Sequence, residues 1–149
     1  MAIGTGSLIE FFGTQDTITG SGATVANNAF GAAATTWTND DDAPRASVVL
    51  LCSFSVAPTA NTAVNLYLRP LDIQSTNDQD VPDANFTHVC VGSFPVNDVT
   101  TSQYITIDIS LPNTYTSQQY NLYIENKCGQ AIGAGWTLYV TPKTYGPHA

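Results

Sequence analysis

Basic residues are almost missing from this chain. Its 149 residues hold four, Arg45, Arg69, Lys127 and Lys143, against 12 acidic ones, and the net charge is −8. Binding to nucleic acid or anionic membrane without sequence preference needs clustered Lys and Arg to displace counterions, so the composition excludes that class of function. Charge of either sign is scarce, at 11% of residues against a usual proportion of roughly 25%. Long apolar runs are missing as well. The longest strongly apolar stretch, Val48 to Cys52, falls far short of the ~20 residues of a membrane-spanning helix.

A basic start is also lacking. Met1 to Phe12 has no Lys or Arg and carries Glu10 among its apolar residues, unlike a secretory signal. The expectation is a protein made and folded in a cytoplasm. Its three cysteines, Cys52, Cys90 and Cys128, are odd in number and widely spaced. That pattern points to buried free thiols rather than to a disulfide framework or a zinc site. No sustained 3.6-residue apolar period occurs, so no helix of ordinary length is expected.

What the sequence does hold is period-two alternation, the mark of strands with one buried face. Ile105, Ile107 and Ile109 alternate with Tyr104, Thr106 and Asp108. Tyr120, Leu122 and Ile124 alternate with Asn121, Tyr123 and Glu125, and Trp136, Leu138 and Val140 with Thr137, Tyr139 and Thr141. Arg45 to Ala57 is nearly continuous and β-branched, which reads as a central strand covered on both faces. A turn at Pro58–Asn61 then leads into an inward row of Val64, Leu66 and Leu68, which Pro70 ends. Phe86 to Val96 reads as a further strand. The first third is rich in Gly, Ala, Thr and Asn. Ser7 to Phe12, Gly22 to Phe30 and Thr35 to Thr38 are its candidate strands. Seven or eight short strands separated by Pro, Asn, Gly and Ser turns predict an all-β chain: an antiparallel β-sandwich, jelly-roll-like, with an irregular N-terminal arm. The expected organisation is a single domain, with residues 1–30 as arm and first strands and 31–149 as the sandwich.

Candidate chemistry is thin. His148 is penultimate, which leaves His88, and a pair with Cys90 on one strand face is the catalytic arrangement on offer. A hydrogen-bonded strand histidine beside a buried cysteine explains the same residues. Asp40-Asp41-Asp42, and Asp78, Asp80 and Asp83, are oxygen-rich but lack EF-hand spacing, so solvated loops are expected rather than calcium. Asn85-Phe86-Thr87 matches the glycosylation pattern by chance. The expectation is a protein that is not an enzyme and holds no cofactor or metal.

Interface residues are more visible. Ile3, Leu8, Ile9, Phe11 and Phe12 are too apolar for a free tail and alternate too poorly for a simple edge strand. Tyr123 and Tyr139 occupy outward rows, where tyrosines can pair across strands, meet a protein or stack on a sugar. With four cations available, apolar burial rather than ion pairing must carry affinity at such an interface.

The stretches Leu66-Tyr67-Leu68-Arg69-Pro70-Leu71-Asp72-Ile73, Val81-Pro82-Asp83-Ala84-Asn85-Phe86 and Val91-Gly92-Ser93-Phe94-Pro95-Val96 resemble small virion-associated proteins of tailed bacteriophages, as does the closing Gly135 to Thr144 run. The resemblance covers roughly Val48 to Pro147, and its motifs are structural. It implies a capsid decoration (cement) protein or head accessory, made in the host cytoplasm and carried on the capsid surface. The implied partners are the major capsid protein and further copies of the chain, a trimer by analogy. No catalytic residue carries over. The competing expectation is a carbohydrate- or receptor-binding module of the particle.

Overall fold

The computed structural model describes residues 4–147, and among them there is no helix. Ile3 and His148 lie outside the described residues. The strands are β1 (Leu8–Phe12), β2 (Asp16–Thr19), β3 (Phe30–Ala32), β4 (Trp37–Thr38), β5 (Arg45–Cys52), β6 (Ala63–Pro70), β7 (Cys90–Pro95), β8 (Gln103–Ser110), β9 (Gln119–Asn126) and β10 (Thr137–Pro147). They form two five-stranded antiparallel sheets. The first runs β1-β10-β5-β8, with β2 on a separate stretch of β10. The second runs β3-β9-β6-β7, with β4 on a separate stretch of β9. Counting β1 with β2, and β3 with β4, as interrupted single strands leaves eight, distributed as in a jelly roll. The chain is an all-β antiparallel sandwich.

The inward rows are those the alternation marks. Val64, Leu66 and Leu68 from β6, and Tyr120, Leu122 and Ile124 from β9, are buried against Ala46, Val48, Leu50 and Cys52 of β5 and Leu138 and Val140 of β10. Trp37 stacks on Tyr120 with ring centroids 5.7 Å apart. The Trp136 indole lies against Gly20, where any Cβ would overlap it, and a Cβ at Gly31 would collide with Val25 beside it. Each large side chain filled this way removes apolar surface worth roughly 1.5–3 kcal/mol.

Several expectations are corrected. β5 is central, between β10 and β8, but only one of its faces is dry. Ser47, Val49 and Leu51 remain half-exposed on the other. Gly22 to Phe30 is mostly loop, held by a bridge between Val25 and Ile132. β7 starts only at Cys90, because the Asp83 carboxylate accepts the amides of Asn85 and Phe86 and turns the chain there. Leu8–Phe12 is a regular edge strand despite its poor alternation. Alternation is imposed by one dry face, and this strand has water on both.

Candidate functional site

β10 is 11 residues long and outruns its neighbour. Its pairing with β5 ends at Lys143↔Arg45, whereas its pairing with β1 continues from Phe12↔Lys143 to Leu8↔Pro147. Residues 8–11 and 144–147 therefore leave the sandwich as a two-stranded ribbon. Leu8 is 72% exposed, Phe12 60% and Tyr145 54%. Phe11 is exposed on the opposite face, its ring lying over Gly146, where a Cβ would sit 2.8 Å from Cε2. A two-stranded ribbon has little stability of its own in water, and exposed apolar side chains in contiguous patches mark interaction surfaces.

The base of the ribbon is locked by charge. Across four strands, outward residues bring Glu10 of β1, Lys143 of β10, Arg45 of β5 and Asp108 of β8 together. Lys143 Nζ lies 2.8 Å from Asp108 Oδ1 and 3.2 Å from Glu10 Oε1, and Arg45 lies 3.5 Å from each carboxylate. Arg45 Nη1 also donates to the Tyr145 hydroxyl at 2.7 Å, with Cζ 5.7 Å from the ring centroid. Lys143 Nζ sits 5.9 Å from the Phe12 ring centroid. The hydrogen bond to Asp108, reinforced by Glu10, outweighs burial and holds the Lys143 ammonium above its ordinary pKa. Half of the chain's cations are thus spent on holding β1 to the sheet. Sequence reasoning missed Tyr145 and this quartet, since nothing local sets the register between strands more than a hundred residues apart. Glu10 within an apolar run and Lys143 late in an outward row are the visible traces.

Beside the ribbon lies a groove of about 270 Å³ lined by Phe11, Phe12, Gly13, Asp41, Pro142, Lys143 and Thr144, among others. The Asp41 carboxylate sits against Gly13, and a Cβ there would collide with it.

The expected interface residues do not form one patch. Leu8, Ile9, Phe11 and Phe12 share the ribbon. Tyr139 is half-exposed on the outer face of the first sheet, and Tyr123 is half-exposed on the second sheet. The two tyrosines face away from each other across the sandwich. On Tyr123's side, the Glu125 carboxylate accepts from Tyr67 Oη at 2.7 Å and from Asn65 Nδ2 at 3.0 Å, and pairs with Lys127 Nζ at 2.8 Å. Burial pulls this carboxyl upward, but the bonds from Lys127, Asn65 and Tyr67 prevail and hold it below its ordinary pKa.

The His88–Cys90 pairing is not assembled. His88 sits in the loop before β7, with Nε2 2.9 Å from Gln79 Oε1. Cys90 is exposed rather than buried, beside a bulge at Val91, while Cys52 and Cys128 lie in the core. His88 and Cys90 both line a cleft of about 310 Å³ with Leu68, Pro70 and Leu111, but no hydrogen bond joins them. Acidic side chains bind backbone amides within and between loops. Asp72 accepts the amides of Thr76 and Asn77, and Asp42 accepts that of Ser117. Among the described residues no group of three or more His, Cys, Asp or Glu converges on a point that could hold a metal ion.

No protein-family model and no curated protein sequence matches the chain. One solved structure it is similar to comes from work on the promiscuous specificity of carbohydrate-binding modules of the β-sandwich superfamily. Identity is 14% and the TM-score 0.40, over 94% of this chain and 57% of that one. The chain spans little more than half of that protein's length, and no residue role is transferred from it.

Proposed function

We propose that this chain is a non-enzymatic virion protein that decorates the head of a tailed phage, docking on the major capsid protein through the β1/β10 ribbon. The observation that carries this reading is the ribbon itself, which leaves the sandwich with apolar side chains on both faces. Burying Leu8, Phe12 and Tyr145 against a shell would remove the exposed apolar surface that a free domain tolerates poorly. A surface poor in Lys and Glu also loses little side-chain entropy on assembly. A trimer is the assembly unit expected from the resemblance.

The test is cosedimentation of the full chain with undecorated heads, alongside a Leu8→Ser/Phe12→Ser double variant. Deleting the first 19 residues would serve worse, since it removes β2 and with it the buried Ile18. Saturation at a fixed copy number by the native chain, and loss of binding by the double variant, is the expected result. Equal binding by both would remove the ribbon as anchor, and binding by neither would remove the decoration role.

A second reading, glycan or receptor binding, is favoured by the outer face of the second sheet, where Tyr123 has Asn121 on its own strand and Arg69 and Asn65 on the adjoining β6. Saturable binding of a soluble glycan, lost in Tyr123→Ala, would support it.

A further inference from the structure

The ribbon has an unpaired edge. Gly13 N donates to Pro142 O at 2.8 Å, so by antiparallel alternation Ile9 and Phe11 turn their backbone groups to β10. Leu8, Glu10 and Phe12 turn theirs outward, and among the described residues no strand pairs with them. An open edge of this kind is a template for strand addition.

Charge narrows the occupant. Arg45 and Lys143 are committed to Glu10 and Asp108, Lys127 to Glu125, and Arg69 Nε to the Gln79 carbonyl. Asp40, Asp41 and Asp42 form no ion pair among the described residues, and Asp41 stands in the groove at the ribbon's base. A cation in that groove would lay its aliphatic stem along Phe11 and Pro142 and bring its charge to Asp41. Lys143 also lines the groove, but its ammonium is held by Glu10 and Asp108, so a positive charge to match Asp41 would come from the partner.

We propose that β1 is extended by an extended, basic segment of a partner protein, which pairs with Leu8–Phe12 and places one Lys or Arg side chain in the Phe11/Phe12/Asp41 groove. This rests on reading the ribbon as the docking element and adds the chemistry of its partner. The second copy of this chain is a poorer occupant. Antiparallel pairing of β1 with itself sets Glu10 opposite Glu10, and Arg69, the one Lys or Arg without an ion pair among the described residues, stands on β6 of the other sheet.

The experiment titrates the isotope-labelled full chain with a capped peptide of alternating Lys and Val, using a Glu/Val peptide as control, and follows backbone amides by NMR. The expected result is that the Leu8, Glu10 and Phe12 amides shift and gain exchange protection with the Lys/Val peptide alone. Asp41→Asn should weaken the apparent affinity by about three- to tenfold, with salt having less effect on the variant than on the native chain. Shifts confined to other strands, or an equal response to both peptides, would overturn the proposal. So would protection of the same three amides that rises with protein concentration without peptide, since a second copy would then hold the edge. Head binding with no peptide response overturns the basic-segment inference while leaving the docking role. A peptide response without head binding supports the inference and removes the docking role.

Discussion

Replacing Lys143 by Met tests whether charge holds the ribbon's base. The ammonium is 5% exposed and touches two carboxylates, Glu10 and Asp108, whose side chains are 30% and 53% exposed. Removing one partner of a fully buried pair costs about 3–5 kcal/mol. Here water reaches both carboxylates, and Arg45 remains 3.5 Å from each, so the expected loss is about 2 kcal/mol. Methionine keeps the apolar stem under Phe12, so most of the loss should fall on β1 rather than on the core. Hydrogen exchange reads this directly. The Ile9 and Phe11 amides, which face β10, should open about 30-fold more often, while those of Leu50 and Leu138 follow only the global change in urea stability. The pH dependence has a defined sign. Lys143 titrates above its ordinary value of 10.5 in the folded chain, so its contribution is complete below that value and is lost as pH rises through the folded pKa. The difference between native and variant chains should therefore be constant to about pH 9 and shrink beyond it. Unchanged exchange at Ile9 and Phe11, with global stability equally unchanged, would refute the idea that this quartet secures the strand.

Glu125→Gln should destabilise the chain by about 1–3 kcal/mol at pH 7 in urea unfolding, since three donors lose a charged acceptor. Because that carboxyl is held below its ordinary 4.5, its contribution is present above that value and is lost as pH falls through the folded pKa, so an undiminished penalty at pH 2 would contradict the assignment. Gly20→Ala drives a methyl into the Trp136 indole and should cost about 1–3 kcal/mol, with a changed tryptophan emission; a neutral effect would mean that the contact is looser than described. A thiol reagent at pH 8 should label Cys90 quickly in the native chain and all three cysteines after unfolding. Burial, aided by Cys128, pushes the Cys52 thiol up to about 12, so rapid native labelling of Cys52 would contradict its place in the core.

The sandwich was legible wherever one face of a strand is dry. Val64-Leu66-Leu68, Tyr120-Leu122-Ile124 and Trp136-Leu138-Val140 alternate because each second residue meets the opposite sheet. Legibility failed where that condition failed. Leu8–Phe12 is wet on both faces, so its regular pairing left no periodic trace, and only its apolar content set it apart. His88 was drawn into a strand by its neighbours, while the turn set by Asp83 depends on side-chain-to-backbone bonds that periodicity does not register. Tyr123 and Tyr139 were both legible as outward-facing, but sheet membership depends on long-range pairing, and they belong to different sheets. For the same reason Glu10, Arg45, Asp108 and Lys143 could not be joined before the register was known.

The pairing of Leu8 with Pro147 also governs how the molecule can be labelled or extended. Both ends of the described chain emerge close together, so a purification tag or fluorescent fusion on either would crowd the exposed ribbon. The turns at 53–62 and 96–102 lie at the far end of the sandwich, beyond the Cys52↔Gln103 pair, and are the places to graft an epitope or dye. The same proximity makes a circular permutant practicable, with a short linker closing the old ends and new ones opened in the 53–62 turn. In that permutant β1 and the end of β10 would become one continuous hairpin. Cargo displayed this way would point away from the ribbon.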